Sequence, residues 1–270
     1  GKQVLSYNKL ENNPIKNEIV FGVNYTEAHF KNIKIKSPDG KKIYLEGMPE
    51  VVKIPAVAPQ WNSFGNGQFE MVKGNALNMD YSQKISAGIE MSGVTQGPFS
   101  IKKGEIYSGS IWAKGDDKGE LTVAFTSEGK NIAIQTLGKP GADWKKYEFK
   151  LDAKDYQGDA IFSIGVKNGS LQVDQVSMMS RSGINLGGFR PDIYKAVEEL
   201  NPSNLRWPGG GYAAQYRWKW GIGPQEERTR WPHYMWMNYD QNSFGTDEFI
   251  QLCRQINSEP VIVVRIGFDR

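Results

Sequence analysis

The sequence predicts a multidomain protein of class β plus α/β, in which a β-sandwich module of jelly-roll-like type is followed by the first part of a (β/α)8 TIM barrel. Two observations lead to this prediction. As far as about Ile184 the chain consists of short runs that alternate apolar and polar residues between turn clusters, which is typical of antiparallel sheets packed in layers. After Ile184 the period becomes helical and strands alternate with helices, which is typical of a parallel sheet.

Length and composition favour a folded chain with more than one core. The 270 residues are 39% hydrophobic and 23% charged, which excludes disordered, collagen-like and coiled-coil chains. The 33 Lys and Arg nearly balance the 30 Asp and Glu and are scattered, so we expect no nucleic-acid partner. No apolar run reaches the ~18 residues of a membrane span. With 1 Cys and 2 His, we expect neither a metal centre nor a cofactor.

We expect three parts along the chain. Residues 1–58 are predicted to be the tail of a preceding β-sandwich or linker strands, residues 59–180 a complete β-sandwich, and residues 187–270 the incomplete start of a barrel. A full barrel takes about 200 residues or more, so we expect the natural protein to continue past Arg270. The alternative is that these last elements pack on another structure.

The strand pattern is clearest in four runs of the first part. These runs are residues 32–36, 106–112, 121–125 and 160–166. No long segment of helical period interrupts them, so the first part is predicted to be all-β.

The second part contains two predicted helices and two predicted strands. A helix begins near Pro191, a short strand spans residues 204–207, and Thr246 is predicted to cap a second helix that buries Cys253. Residues 261–266 are apolar on both faces, which predicts a parallel strand buried on both sides. The apolar face of the first helix consists of Ile193, Ala196, Val197 and Leu200.

The densest chemical signal is aromatic. Within 30 residues lie five of the eight tryptophans, namely Trp207, Trp218, Trp220, Trp231 and Trp236. Flat rings pack against sugar C–H faces, but aromatic residues also plug barrel mouths and domain interfaces, and both interpretations stay open. Arg206 ends the strand before a glycine turn, where a guanidinium can hold sugar hydroxyls or a carboxylate, or form a structural ion pair.

Two pairs of adjacent carboxylates are present, but adjacent residues do not face each other across a glycosidic bond. We therefore do not expect Glu226 and Glu227, or Asp247 and Glu248, to act as catalytic acid and nucleophile. The second pair is explained by the N-terminus of a helix.

Several motifs, taken together and in order, resemble glycoside hydrolase family 51, the α-L-arabinofuranosidases. The resemblance covers about residues 187–267. The motifs are Gly188-Phe189-Arg190-Pro191-Asp192, Pro202-Ser203-Asn204-Leu205-Arg206-Trp207-Pro208-Gly209-Gly210, Tyr216-Arg217-Trp218, Ile222-Gly223-Pro224-Gln225-Glu226-Glu227-Arg228, Asn242-Ser243-Phe244-Gly245-Thr246-Asp247-Glu248-Phe249 and Glu259-Pro260-Val261.

The resemblance implies a retaining hydrolase that releases α-L-arabinofuranosyl residues from arabinose-containing plant polysaccharides. It implies that the two catalytic glutamates lie beyond Arg270, so that this chain alone is inactive. The substrate-binding residues it implies are Arg206, Gly211, Tyr212, Trp236 and Asn242. Gly211 stands where many members have Asn or Cys, so one polar contact to the sugar is lacking and the identity of the sugar is left open.

Upstream, residues 78–179 resemble a carbohydrate-binding module of the family 4/9 type. The matching motifs are Ile101-Lys102-Lys103-Gly104-Glu105-Ile106-Tyr107, Ser110-Ile111-Trp112-Ala113-Lys114-Gly115, Asp143-Trp144-Lys145-Lys146-Tyr147 and Val173-Asp174-Gln175-Val176-Ser177. They describe mainly a sandwich core, so Trp112 and Trp144 are expected to pack. Residues 21–27 offer an alternative, as a poor copy of the first barrel strand of family 51.

The resemblance implies an oligo- or polysaccharide that contains arabinofuranose as the partner, no cofactor, and a secreted or periplasmic location. An alternative from another functional class is a non-catalytic carbohydrate-binding protein that acts through the β-sandwich. A purely structural interdomain module is a third possibility.

Overall fold

The computed structural model describes residues 55–230 and 240–265, together with the backbone of residues 34–36, 42–45, 231–233 and 238–239. The chain divides into two compact units, Gly1–Glu50 and Val51–Arg270. In the first unit, β1 (Lys34–Lys36) and β2 (Lys42–Leu45) pair in antiparallel fashion. The alternative barrel strand at residues 21–27 lies outside the described residues.

The second unit begins with two five-stranded antiparallel sheets. Sheet I has the strand order β10-β7-β12-β5-β4, and sheet II has the order β3-β6-β11-β8-β9. The strands are β3 (Asn62–Phe64), β4 (Gln68–Lys73), β5 (Tyr81–Ala87), β6 (Ser92–Ile101), β7 (Ile106–Gly115), β8 (Glu120–Ser127), β9 (Lys130–Gly138), β10 (Lys145–Asp152), β11 (Gly158–Lys167) and β12 (Gly169–Ser180). The predicted strands at 106–112, 121–125 and 160–166 are confirmed.

One apolar core joins the two sheets, because alternate residues of each strand point to the same side. Phe162 of β11 lies at its centre. Its ring stacks on Phe149 of sheet I with centroids 5.7 Å apart and meets Phe125 and Trp61 edge-on at 5.9 and 6.3 Å. Two rings from sheet II, one from sheet I and that of Trp61, just before β3, thus pack together.

The remainder of the second unit is α/β. Its elements are α1 (Arg181–Asn185), α2 (Pro191–Leu200), β13 (Asn204–Trp207), three short 3-10 turns, β14 (Trp231–His233), β15 (Asn238–Asp240), α3 (Thr246–Gln255) and β16 (Glu259–Ile262). β13 and β16 pair in parallel, with α3 in the connection between them, which confirms the predicted change to a parallel arrangement. Across the described residues, no helix has the length and apolarity needed to cross a bilayer.

The prediction of a strand buried on both sides is wrong for the described part of the chain. Val261, Ile262 and Val264 are 42%, 43% and 59% exposed. α3 covers one face of the two-stranded sheet, and no other described element covers the opposite face. The apolar face of α2 is similarly open, since Ile193 and Leu200 are 53% and 78% exposed.

The N-cap of α3 is also corrected by the structure. Gly245 occupies the cap, and Thr246 is the first helical residue. A Cβ at Gly245 would collide with the backbone carbonyl of Gly221, so the close approach requires glycine. The Gly245 N–H donates to the Glu248 carboxylate at 2.8 Å, which is the half of a capping box that glycine can form, since it has no side chain to accept from the first turn. Cys253, as predicted, is fully buried on the inner face of α3.

Candidate functional site

A candidate site lies at the carboxyl ends of the two parallel strands. Parallel sheets place ligands at this edge, because the loops that leave it converge there. A small cavity of about 170 Å³ opens at this edge. Its volume is below the ~300–1,000 Å³ of a complete ligand pocket, so it is one wall of a site. The cavity is lined by Trp207, Pro208, Tyr216, Trp218, Thr246, Ile262, Val263 and Val264.

Aromatic rings pack together at the carboxyl end of β13. The ring centroid of Trp207 lies 4.6 Å from that of Tyr216 and 5.8 Å from that of Phe249 on α3. Tyr216 is 5% exposed. Burial raises the pKa of its hydroxyl to about 12, and the charge of Asp240 adds to the rise. Trp207 and Tyr216 are therefore packing residues, which favours the structural interpretation for this part of the aromatic cluster.

Two further tryptophans of the cluster differ in exposure. Trp218 is 48% exposed, with the ammonium of Lys219 5.8 Å from its ring centroid. The ring of Trp220 is covered by the guanidinium of Arg217 at 4.5 Å. Trp218 is thus the better placed of the two to present a ring to a ligand. The predicted sugar-binding residue Trp236 lies outside the described residues.

Arg206 is exposed on the face of β13 opposite Trp207, because successive strand residues point to opposite faces. Trp207 packs on α3, so Arg206 points away from the helix. Within the described part of the chain, no carboxylate forms an ion pair with Arg206. A guanidinium at this position can donate to sugar hydroxyls or pair with a carboxylate, and both interpretations stay open.

Tyr212 and Gly211 lie in the 3-10 segment Gly210–Ala214, directly after β13. The Tyr212 hydroxyl donates to the carboxylate of Asp240, and its ring lies 5.4 Å from that of Tyr216. Burial and the acceptor Asp240 both raise the pKa of Tyr212 far above its usual range, so the hydroxyl stays a neutral donor. Gly211 is exposed and contributes backbone only.

Asn242 is 2% exposed, and its side chain is already engaged. Its Nδ2 donates to the carbonyl of Thr229 at 2.5 Å, and its backbone N–H donates to Asp240 Oδ1 at 2.7 Å. The structure therefore connects Asn242 and Tyr212 through Asp240.

A buried ion pair next to Asn242 was not foreseen from the sequence. The side chains of Arg228 and Glu248 are 3% and 16% exposed, and Arg228 Nη1 and Nη2 donate to the two carboxylate oxygens at 2.9 and 2.8 Å. Arg228 also donates to the carbonyls of Gly223 and Asn242 at 2.9 and 2.8 Å. The sequence offers a signal for this pair, since Arg228 and Glu248 both lie in motifs typical of family 51. The sequence pattern by itself explained Glu248 only as a carboxylate at the N-terminus of a helix.

Burial by itself would raise the pKa of the Glu248 carboxyl, but hydrogen bonds from Arg228 and from the Gly245 N–H outweigh burial and hold this pKa below its usual value of 4.5. The ionised carboxylate therefore adds stability that is fully present above pH 4.5 and is lost as the pH falls through the lowered folded-state pKa.

We expect the difference in unfolding free energy between the wild type and Glu248→Gln to be constant near neutral pH and to shrink below pH 4.5. Denaturant titrations at several pH values measure this difference. A difference that stays constant into acid would contradict the assignment. Asp247→Asn, at the exposed neighbouring position, is the matched control.

Within the described residues, no group of three His, Cys, Asp or Glu is arranged to hold a metal ion. The carboxylates of Glu226 and Glu248 each form an ion pair. Glu226 accepts from Lys146 Nζ at 2.7 Å, and Glu248 pairs with Arg228. The site in this chain is therefore built from aromatic rings, one open guanidinium and hydrogen-bonded loops.

Known proteins are similar to this chain in the segment that contains the candidate site. The α-L-arabinofuranosidase 1 domain family matches residues 196–270. Over 80 residues, 30% of this chain, the sequence is 41% identical to a probable α-L-arabinofuranosidase C of Aspergillus niger. Over 84 residues, 31% of this chain, it is 40% identical to an intracellular exo-α-L-arabinofuranosidase of Bacteroides ovatus. The aligned part spans 16% of the length of each of these two relatives.

The fold is similar over a longer stretch. The arabinose-bound α-L-arabinofuranosidase MgGH51 superposes with a TM-score of 0.69 over 78% of this chain and 38% of that chain, at 17% sequence identity. This likeness supports the fold, including a β part followed by an α/β part. It says nothing of the type of the sandwich as a carbohydrate-binding module.

Proposed function

From the relationship of this chain to the glycoside hydrolase family 51 α-L-arabinofuranosidases, we propose that it is part of a retaining hydrolase that releases α-L-arabinofuranosyl residues from arabinose-containing plant polysaccharides. One observation carries the proposal. The segment similar to arabinofuranosidases, residues 196–270, contains the parallel pair β13 and β16 and the cavity at their carboxyl ends. That edge is where barrel enzymes place their active sites.

In this proposal the chain supplies part of the sugar-binding wall, and the catalytic glutamates lie in sequence outside these 270 residues. Retaining hydrolysis needs two carboxyl groups about 5 Å apart on either side of the bond. Glu226 and Glu248 are held by Lys146 and Arg228, which leaves neither free for this role. Two parallel strands are proposed to be the beginning of a (β/α)8 barrel.

Arg206 is proposed to donate hydrogen bonds to sugar hydroxyls or to a catalytic carboxylate. In the gene product of native length, we expect Arg206→Ala to lower kcat/KM for an aryl α-L-arabinofuranoside by about 100-fold, because a charged donor that faces the ligand is lost. Steady-state kinetics measure the effect. Arg206→Lys is expected to recover only a small part of the activity, since the planar fork of donors is still missing.

Arg254→Ala provides the matched control, because Arg254 is exposed in the last turn of α3, at the opposite end of that helix from Thr246, which lines the cavity. The proposal fails if the native-length protein has no arabinofuranosidase activity. The role of Arg206 fails separately if the activity is present and Arg206→Ala behaves like Arg254→Ala. The 270-residue chain alone is expected to show no turnover.

The sandwich offers little support for the alternative of a binding protein that acts through its tryptophans. Trp112 and Trp144 are half-buried, and the Lys114 ammonium lies 4.9 Å from the ring centroid of Trp144. This cation–π contact occupies a ring face that a sugar would need. Titration of the chain with arabinan and arabinoxylan oligosaccharides tests the alternative, which requires saturable binding that is lost in Trp144→Ala.

A further inference from the structure

Side chains of the sandwich contact the α/β part at α1, where Glu105 accepts from the N–H and the hydroxyl of Ser182 at 3.1 and 2.7 Å, and at a loop. This loop, residues 223–230, lies between Trp220 and Trp231 of the aromatic cluster and is here called the bridging loop. Asn78, in the turn between β4 and β5, donates from Nδ2 to the carbonyls of Glu226 and Arg228 at 2.8 and 3.0 Å. Lys146 of β10 donates to the Glu226 carboxylate at 2.7 Å. One turn and one strand of sheet I thus contact the bridging loop through hydrogen bonds.

The turn that carries Asn78 is itself held by the sandwich. The backbone N–H groups of Leu77 and Asn78 donate to Asp174 Oδ2 at 2.9 and 3.4 Å, and the Gln175 N–H donates to Asp174 Oδ1 at 2.8 Å. Asp174 lies in β12 at an irregularity of its pairing with β7. Burial raises the pKa of its carboxyl despite these hydrogen bonds. This half-buried acceptor therefore orients Asn78 toward the bridging loop.

On its other side, the bridging loop is bound to the candidate site. The guanidinium of Arg228 contacts Glu248 and the carbonyl of Asn242, and Asn242 in turn contacts Thr229. From Asn242 the contacts continue to Asp240 and then to Tyr212. A continuous set of hydrogen bonds therefore leads from the sandwich through the loop to a residue next to β13.

We infer that Asn78 is a positioning residue for the sugar site, and that the sandwich acts on the reaction by holding the bridging loop. The inference rests on the proposed function in that it names the reaction whose substrate site is positioned. The side-chain amide of Asn78 is suited to this role because it offers two N–H donors. Both donate to backbone carbonyls of the bridging loop and so fix the position of its backbone. The sequence pattern predicts the sandwich and the α/β part as separate modules, whereas the hydrogen bonds of Asn78 and Lys146 connect them.

Asn78→Asp is the sharpest variant, because it keeps the shape of the side chain but replaces the donor with an acceptor that faces two carbonyl oxygens. In the native-length protein we expect KM for an aryl α-L-arabinofuranoside to rise on the order of tenfold with kcat changed much less, since the loop contributes to holding the sugar rather than to bond cleavage. Asn78→Ala is expected to show a smaller rise in KM. The control is Asn131→Asp, the same chemical change at an exposed position on β9.

Amide hydrogen exchange provides a second readout that does not depend on activity. Asn78→Asp is expected to speed exchange in residues 223–230 and to leave the strands of the sandwich unchanged. If the wild type lacks arabinofuranosidase activity, the proposed function fails, while faster exchange in the loop still supports positioning by Asn78. The inference is overturned if Asn78→Asp matches Asn131→Asp in KM and in loop exchange. It is also overturned if exchange rises throughout the sandwich, because the role would then be general stability.

Discussion

Arg228→Ala is expected to lower the free energy of unfolding of the α/β part by about 3–5 kcal/mol, because it leaves the buried Glu248 carboxylate without its partner. The side chains are 3% and 16% exposed, so little water reaches either group. Two further hydrogen bonds, to the carbonyls of Gly223 and Asn242, are lost in the same substitution. A guanidinium chloride titration followed by tryptophan fluorescence measures the effect, because five of the eight tryptophans lie in this part.

Arg254→Ala is the matched control for this measurement, since Arg254 is exposed on α3 and should change stability by less than about 0.5 kcal/mol. The double variant Arg228→Ala, Glu248→Gln is expected to be more stable than Arg228→Ala alone, because it removes the unpaired charge. If Arg228→Ala is no more destabilising than Arg254→Ala, the ion pair does not hold the loop and the α3 terminus together.

Phe162→Ala is expected to lower the free energy of unfolding of the sandwich by about 3–5 kcal/mol, through lost burial and the cavity left behind. Phe162 is 2% exposed and contacts rings from both sheets, so neighbours cannot move in from one side without opening the other. Circular dichroism during thermal or denaturant unfolding follows the loss of the β-sheets.

Ile134→Ala is the comparison within the sandwich, because Ile134 is 54% exposed on β9 and its truncation should cost less than about 1 kcal/mol. Equal effects of the two substitutions would mean that the aromatic cluster is not the centre of the core. A large effect of Phe162→Ala on the fluorescence transition of the α/β part as well would indicate that the two parts unfold together, as the Asn78 contacts suggest.

Local patterns were sufficient for most of the fold. Alternation of apolar residues located strands such as β7, β8 and β11, and the change of period located α2, α3 and the parallel pair β13 and β16. These features depend on neighbours within a few residues, and so they can be read along the chain. The cap of α3 was misassigned because the hydroxyl of Thr246 is a good cap in general, while the close approach to Gly221 that selects Gly245 comes from a residue 24 positions away.

The candidate site was predictable only in part. The resemblance implied Arg206 and Tyr212, and the structure places Arg206 at the end of β13 and Tyr212 in the 3-10 segment that follows it. Trp236 lies outside the described residues, and its role stays a prediction. The role of Asn242 in binding a sugar also stays a prediction; its buried amide donates to the Thr229 carbonyl, and its backbone has a φ of 54°.

Sequence was enough to establish the succession of a β part and an α/β part, the burial of Cys253 and the relation to arabinofuranosidases, since each rests on short-range pattern or motif order. Folding alone brought Arg228 to Glu248 across 20 residues and Asn78 to Glu226 across 148 residues. No periodicity links residues so far apart, because their contact depends on how whole sheets, helices and loops pack. The connection between the sandwich and the candidate site is therefore a property of the packed structure.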